Sequence, residues 1–584
     1  MGINTNSSTR FQMFQYRLRP TLFLLPLLLV IAAVSPGVSQ QVDGTGMRWH
    51  RVTISFDGPD TCTTCDPNPF LRYRLDVTFT GPDGETFKVP GFYAGDGDGG
   101  AEGGTWRVRF NPPAVGTWSY TASFRKGKQV SVAGATEAGQ GVSFDGASGS
   151  FDVVASERSG RDFRSSSRGL LKNRGDHYLT FPDGTPWIKG GPNIPENFLA
   201  HPFDVHGGRK EALDYIAEFG VNSIYFLPNN IGGDGDDTWP YIRKYEPGEQ
   251  AVRFDVGKLR NWEEVFTHAQ SKGIFLHFLL AETEDGNENF HDDGTLGVER
   301  KLYYRELIAR FGHHNALQWN IGEENDYGTK RRKRFARWIK RVDPYDHPVT
   351  THTHTNKDDA FYKPLLGNQD IDVTSFQAKW SRRKLANRIQ LWRERSREAG
   401  VPWAVNLDEP QKIENDPDDM EHGYPHGRRH KMWPVYLSGG AGFEWYVQKD
   451  GGGHSFDRNI DDYRQMEPAL KWTGYALDLL RRMPVKQMAP AHDLGTSGEG
   501  GNTYVFRQPG TVYVLYNDRN GSDWRLDLAE ASGTFEVRWY DPRNGGELQN
   551  GSIGTVEGGK AVRIGSAPDK TDRDWVAVVL REED

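Results

Sequence analysis

A strand-type apolar run followed by an amphipathic stretch recurs from Tyr178 to about Tyr446, and this pattern constrains the fold most. Candidate strands are Trp187 to Gly190, Asn222 to Leu227, Ile274 to Leu280 and Leu317 to Ile321. They continue with Pro348 to Thr353, Asp372 to Phe376, Trp403 to Leu407 and Gly442 to Val447. Helical periodicity lies between them, as in Arg209 to Phe219, Leu259 to Lys272, Glu299 to Phe311 and Arg382 to Ala399. Strands alternating with helices form a parallel sheet, because each helix carries the chain back to the same end. Eight such units over roughly 260 residues match the size of a (β/α)8 TIM barrel. An open doubly wound sheet is the alternative, but no glycine-rich phosphate loop follows the first strand.

A chain of 584 residues is too long for one hydrophobic core. Residues 47–154 read as short alternating strands separated by Gly, Pro and Asp, such as Leu71 to Phe79 and Trp106 to Phe110. That is the pattern of a β-sandwich. Residues 155–177 begin with a Ser- and Arg-rich linker. The barrel is expected over 178–482, with a helical stretch, Pro468 to Arg482, leading out of it. Alternation returns over 488–584, as in Thr511 to Tyr516 and Trp575 to Leu580, and predicts a second β-sandwich. The expected fold is thus multidomain, a central barrel flanked by two sandwiches.

Arg10, Arg17 and Arg19 precede an apolar run, Thr21 to Val34, that ends in Ser35-Pro36-Gly37-Val38-Ser39. This predicts a signal peptide over 1–39 and a secreted or periplasmic protein. An uncleaved anchor is the other reading, but the run is shorter than the roughly 20 residues that span a bilayer. No stable membrane insertion is expected after cleavage. The net charge of -8 argues against nucleic acid as a partner. The basic run Lys330 to Arg341 interleaves with Phe335, Trp338 and Ile339 at helical spacing and reads as a solvated helix face. Cys62 and Cys65 are the chain's two cysteines, and in an exported protein a small disulfide is the expected state.

Two acidic dipeptides sit where candidate strands four and seven run out: Glu323-Glu324 and Asp408-Glu409. TIM-barrel enzymes place their chemistry at the C-terminal ends of strands. Two carboxylates facing one sugar ring are the minimal equipment for cleaving a glycosidic bond, about 5–5.5 Å apart when configuration is retained. From Glu324 to Glu409 is 85 residues, which three βα units cover. Asn193, Glu282, His354 and Gln377 follow other candidate strands, His352 lies at the end of the fifth, and Glu444 and Trp445 lie in the eighth, so all are candidates for contacting substrate. His352 and His354 lack a recognisable third ligand, so no metal is expected, nor any other cofactor. The glycine-rich acidic loops at Gly95 to Gly100 and Gly232 to Asp237 do not fit EF-hand spacing and read as solvated turns.

Trp319-Asn320-Ile321-Gly322-Glu323-Glu324-Asn325 resembles the strand-four signature of the retaining TIM-barrel glycosidases of clan A: tryptophan, a short apolar run, then Asn-Glu-Pro. Matched on its glutamate, the resemblance makes Glu324 the general acid/base, with Glu323 in place of the usual asparagine and as runner-up. Trp403 to Glu409 resembles the clan's strand-seven ending, which makes Glu409 the nucleophile and Asp408 its runner-up. Pro410 stands where a glycine is usual. Trp445 matches the tryptophan that often floors the sugar site in that clan. The order of domains is similar to that of apiosidase-like proteins, whose C-terminal domain is labelled collagen-binding, and Arg538 to Gly546 carries that likeness.

The resemblance implies a secreted retaining glycoside hydrolase that cleaves a plant or algal oligosaccharide or polysaccharide. A non-catalytic carbohydrate-binding or adhesion protein on a degenerate barrel is the alternative, motivated by Glu323 and Pro410. A polysaccharide lyase is a third reading, with no particular support from paired strand-end glutamates.

Overall fold

A computed structural model describes residues 40–582, apart from 195, 201–204, 234, 247, 412, 417, 448–461, 499 and 570–572. The expected leader, residues 1–39, lies outside the described residues, as does Asp234 of the acidic loop.

Eight short parallel strands occupy the middle of the chain: β1 (Lys189–Pro192), β2 (Ser223–Phe226), β3 (Phe275–Leu279), β4 (Leu317–Asn320), β5 (Val349–Thr350), β6 (Phe376–Gln377), β7 (Asn406–Glu409) and β8 (Gly442–Trp445). They form two four-stranded sheets, β2-β3-β4-β5 and β1-β8-β7-β6. Parallel bridges join the sheets on both sides, Asn193 with Tyr225 and His352 with Ser375. Pairing therefore passes from each strand to the next in sequence, and from β8 back to β1.

Alternation along each strand sorts the side chains. In β3, Phe278 packs in the cluster formed by Phe226 of β2 and Phe266 of helix Val256–Ser271, with ring centroids 4.7 and 5.1 Å away. His277 faces the other way, toward Glu444 of β8. The helix starts where Asp255 accepts the Lys258 N–H at 2.9 Å, a side-chain N-cap. The basic run forms helix Thr329–Val342, whose Phe335, Ala336 and Ile339 are buried.

Two strands differ from the sequence expectation. The seventh begins three residues late, at Asn406, so both acidic residues lie within it rather than after it. The sixth is only Phe376–Gln377, at the end of the expected run. Between them the register slips: Phe376 pairs with Leu407, but Gln377 pairs with Glu409. Asp408 is the extra residue of a β-bulge, which re-aims neighbouring side chains.

Before this region, two antiparallel sheets pack face to face. One contains Val52–Cys62 and Glu102–Phe110, the other Tyr73–Thr80 and Gly116–Lys126. Phe79 and Phe110 stack between them, with centroids 4.1 Å apart. Cys62 and Cys65 form a disulfide, S–S 2.03 Å. After the middle region come a six-stranded and a three-stranded antiparallel sheet within Ala489–Arg581. Arg428 anchors this last part by donating to both oxygens of buried Asp574, at 3.1 and 2.7 Å.

Glu263, on helix Val256–Ser271, ties the N-terminal sheets to the middle. It meets Arg51 at 2.7 Å and Arg109 at 3.1 Å, and His313 and His314 at 3.0 and 3.2 Å. Burial alone would raise its carboxyl pKa, but Arg109 and the two histidines outweigh it and hold the group well below 4.5. A depressed folded-state pKa gives stability that is present above the unfolded value and lost as pH falls. Glu263→Gln is therefore expected to cost about 3 kcal/mol at pH 7, because it leaves the buried Arg109 guanidinium without its carboxylate. Denaturant titration should show that cost shrinking below about pH 4.5.

Candidate active site

β4 delivers its acidic pair through a tight turn. The turn is pinned by Asn325, whose side chain donates to the Gly322 carbonyl at 2.7 Å and to Thr351 Oγ1 at 2.9 Å. Arg332 holds Asn325 in turn, donating to its side-chain oxygen at 3.0 Å and its carbonyl at 2.8 Å. This arginine belongs to the basic run read as a solvated face, yet it is buried. Glu324 takes φ +40°, the left-handed region that costs a non-glycine residue about 1–3 kcal/mol.

Glu409 is buried at the end of β7. Its Oε1 accepts from Gln377 Nε2 at 2.7 Å, and Thr355 fixes that amide by donating to its oxygen at 2.7 Å. His352 lies between the acidic strand ends. Its Nδ1 is 3.4 Å from Glu323 Oε1, and its Nε2 is 3.7 Å from Glu409 Oε2. One ligand atom from each of Glu323, His352 and Glu409 falls within 4.8 Å of the others. His354 Nδ1 stands 3.5 Å from Glu324 Oε2, and its Nε2 2.9 Å from Asp326.

The carboxyls differ in proton affinity. Burial, reinforced by the charges of Glu323 and Glu324, pushes Glu409 well above 4.5 despite His352 and Gln377. Burial also acts on Glu324, but the hydrogen bond from His354 and the charges of His352 and His354 prevail and lower it. His354 is raised, chiefly by its hydrogen bond to Glu324. The separation is opposite in sense to an acid at Glu324 and an ionised nucleophile at Glu409. Those roles require a proton to leave the β7 carboxyl and one to reach the β4 pair before reaction.

Deeper in the strands lies a second charged group. Lys189 Nζ donates to Asp408 Oδ1 at 2.6 Å and to Glu444 Oε2 at 3.0 Å, and all three side chains are buried. Ser223 donates to Glu444 Oε1 at 3.0 Å, while His277 Nδ1 lies 3.2 Å from Oε2. Asn320 Nδ2 donates to His277 Nε2 at 3.0 Å, which assigns the ring proton to Nδ1. Asn193 donates to the Asp408 carbonyl at 2.7 Å and so braces the bulge.

The structure thus brings Glu323, Glu324, Glu409, His352, His354 and Gln377 together. It does not bring Asp408 and Glu444 to that group; both are fully buried against Lys189. Trp445 is also misplaced by the sequence expectation. It alternates away from Glu444, is fully buried, and donates its indole N–H to Thr473 of helix Glu467–Arg481 at 2.7 Å. A ring enclosed in that way cannot floor a sugar site. Glu282 is buried against the loop after β2, where a Cβ on Gly233 would fall 1.5 Å from its Oε1. Two further groups offer three possible metal ligands each, but cations already occupy them: Arg51 and Arg109 at Glu263, Lys189 at Asp408 and Glu444. Sequence reasoning missed Lys189 and Tyr225, whose hydroxyl is 3.4 Å from His352 Nδ1. A lysine inside a candidate strand was the available signal.

Residues 45–125 match a family described as a domain of unknown function, DUF5060. Residues 494–580 match one described as "Putative collagen-binding domain of a collagenase". No curated protein matches the chain. Among solved structures, a putative glycoside hydrolase from Bacteroides vulgatus aligns with TM-score 0.66 at 18% identity, covering 91% of this chain and 99% of that one. A structure described as a glycoside hydrolase aligns at 0.57 and 18%, covering 73% and 100%. A glycoside hydrolase family 5 protein, also from Bacteroides vulgatus, aligns at 0.53 and 18%, covering 71% and 93%. At this identity the likeness is one of fold, and the fold is one that glycoside hydrolases use.

Proposed function

We propose that this chain is a secreted retaining glycoside hydrolase of the clan A type, acting on a plant or algal oligosaccharide or polysaccharide. The observation that carries the reading is the convergence of strand-end carboxylates from β4 and β7 around His352, with Glu323 and Glu409 oxygens within 4.8 Å. The circular pairing of β1 to β8 supports a (β/α)8 barrel, with the antiparallel sheets on either side as flanking sandwiches. The leader pattern in residues 1–39 supports export.

In this mechanism Glu409 attacks the anomeric carbon while Glu324, the more exposed carboxyl, protonates the departing oxygen. Glu324 must therefore gain a proton against the pull of His354 as Glu409 gives one up. Glu324 then takes a proton from the water that releases the glycosyl group. Before attack Glu409 must lose the proton that burial and its acidic neighbours hold on it. His352, between Glu323 and Glu409, is the group placed to accept it. Gln377 keeps the nucleophile oriented.

The test is incubation of the mature protein, and of Glu324→Gln, with a panel of plant and algal glycans, reading new reducing ends and the anomer formed first. Release with retention that disappears in the variant supports the proposal, and inversion contradicts it. Tight binding of one glycan without release from any would favour the alternative, a carbohydrate-binding protein.

A companion prediction concerns His354. Removing its hydrogen bond leaves burial as the main influence on Glu324, so the carboxyl should stay protonated to higher pH. His354→Gln is expected to move the alkaline limb of kcat/KM upward. A pH–rate profile checks this, and an unmoved limb would take the acid role from Glu324.

A further inference from the structure

A cavity of about 610 Å³ opens at the opposite end of the strands from the carboxylates. Ile188, Asn222 and Gly273 line it, and these residues lie just before β1, β2 and β3. Its volume falls within the roughly 300–1,000 Å³ of small-molecule sites. The mechanism above uses nothing in it.

Three guanidiniums face this one space: Arg161, Arg168 and Arg481. Among the described residues none of them is within ion-pair distance of a carboxylate. Arg161 is held by backbone carbonyls, donating to Ala217 at 2.8 Å and also to Val221. Arg168 lies over the Phe181 ring, 4.7 Å from its centroid. Arg481 donates its Nε–H to Leu477 at 2.9 Å and is exposed to the cavity. The three charges repel one another: burial first, then Arg481 and Arg168, brings Arg161 down to about 10. Asp183 is the one carboxylate on the lining among the described residues, and Lys486 adds a fourth cation, engaged with Asp176 at 3.1 Å. At Glu263, by contrast, Arg51 and Arg109 meet a carboxylate at 2.7 and 3.1 Å. Here Asp183 and Asp478 act on Arg168 and Arg481 only from beyond ion-pair distance, which leaves the three guanidiniums able to take an anion from outside.

The remaining walls are apolar, including Phe163, Trp187 and Leu480. The volume far exceeds that of a bare oxyanion. We propose that this cavity is a second ligand site, taking a sugar-sized organic anion whose sulfate or phosphate group sits among Arg161, Arg168 and Arg481. The inference is independent of the reaction proposed at the other end of the strands.

Calorimetry on the mature protein tests it with glucose 6-sulfate, glucose 6-phosphate, glucose and inorganic phosphate. The wild type should bind one or both esters, more weakly as salt is raised, and should not bind glucose. Arg481→Gln should weaken ester binding on the order of 10-fold or more, since a charge-assisted hydrogen bond is lost. Because relief of Arg161 offsets the loss of Asp478's attraction, the ligand-free Arg481→Gln protein should melt close to the wild type. Arg168→Gln should report the same loss of binding if Arg481→Gln folds poorly, and Arg168→Lys should largely retain it. Failure of both esters to bind, equal binding of glucose, or unchanged affinity in both glutamine variants would overturn the proposal. Inorganic phosphate binding as tightly as the esters would remove the sugar-sized body from it.

Discussion

Glu409→Gln is expected to abolish hydrolysis, lowering it by roughly 10³-fold or more, while the protein folds normally and melts higher than the wild type at neutral pH. The two effects have one origin. Glu409 sits in a buried position where ionisation is opposed by burial and by Glu323 and Glu324. A folded-state pKa above the unfolded 4.5 means that the group's stabilising effect is complete below that value and is lost as pH rises toward the folded pKa. An amide of the same shape keeps the hydrogen bond from Gln377 Nε2, because its oxygen can still accept, and it removes the charge. The melting-temperature gain should therefore appear at pH 7 and vanish below about pH 4.5. Calorimetric scans at both pH values and rates on the best glycan check the pair. Activity that persists removes Glu409 as nucleophile, and an unchanged melting temperature removes the electrostatic account of the site.

The sequence made the alternation of strands and helices legible because apolar period and helix period differ over stretches of ten residues or more. Helices expected at Arg209 to Phe219, Glu299 to Phe311 and Arg382 to Ala399 occur within a residue of those bounds. The acidic pairs were visible too, since carboxylates beside runs such as Leu317 to Ile321 are conspicuous. The orientation of each pair was not legible. A slip between Phe376 and Gln377 decides that Glu409 meets Gln377 while Asp408 turns to Lys189, and a bulge leaves no mark on hydrophobic period. Trp445 shows the same limit from the other side. One step along β8 separates the face holding Glu444 from the face packed on Thr473, and a resemblance matched on residue type cannot tell the two apart. Arg332 was read as solvated because its neighbours are basic, whereas its service to Asn325 depends on a contact seven residues away through a turn.

Lys189→Met should be the most destabilising single change at the site, about 3–5 kcal/mol. Its ammonium is the shared partner of Asp408 and Glu444, both without exposure to water, at 2.6 and 3.0 Å. Burial alone would drive Lys189 to lose its proton, yet the two carboxylates hold its pKa above 10.5. A raised folded-state pKa gives stability that is complete below the unfolded value and lost only as pH climbs past it. The wild type thus keeps the full contribution at every pH where the protein would work. In Lys189→Met the two carboxylates lose that partner, and burial already raises Glu444. The deficit should therefore be greatest at neutral pH and shrink in acid, where those groups protonate. Neutralising them separates charge from packing. Adding Asp408→Asn and Glu444→Gln to Lys189→Met should recover much of the loss, because a network removed whole costs less than one left half paired. Urea titrations of the wild type, the single variant and the triple variant measure this directly. A triple variant no more stable than Lys189→Met would mean that the lysine's methylene stem, packed between β1 and its neighbours, supplies the stability, and that the buried charges beneath Glu409 contribute little to holding the strands in register.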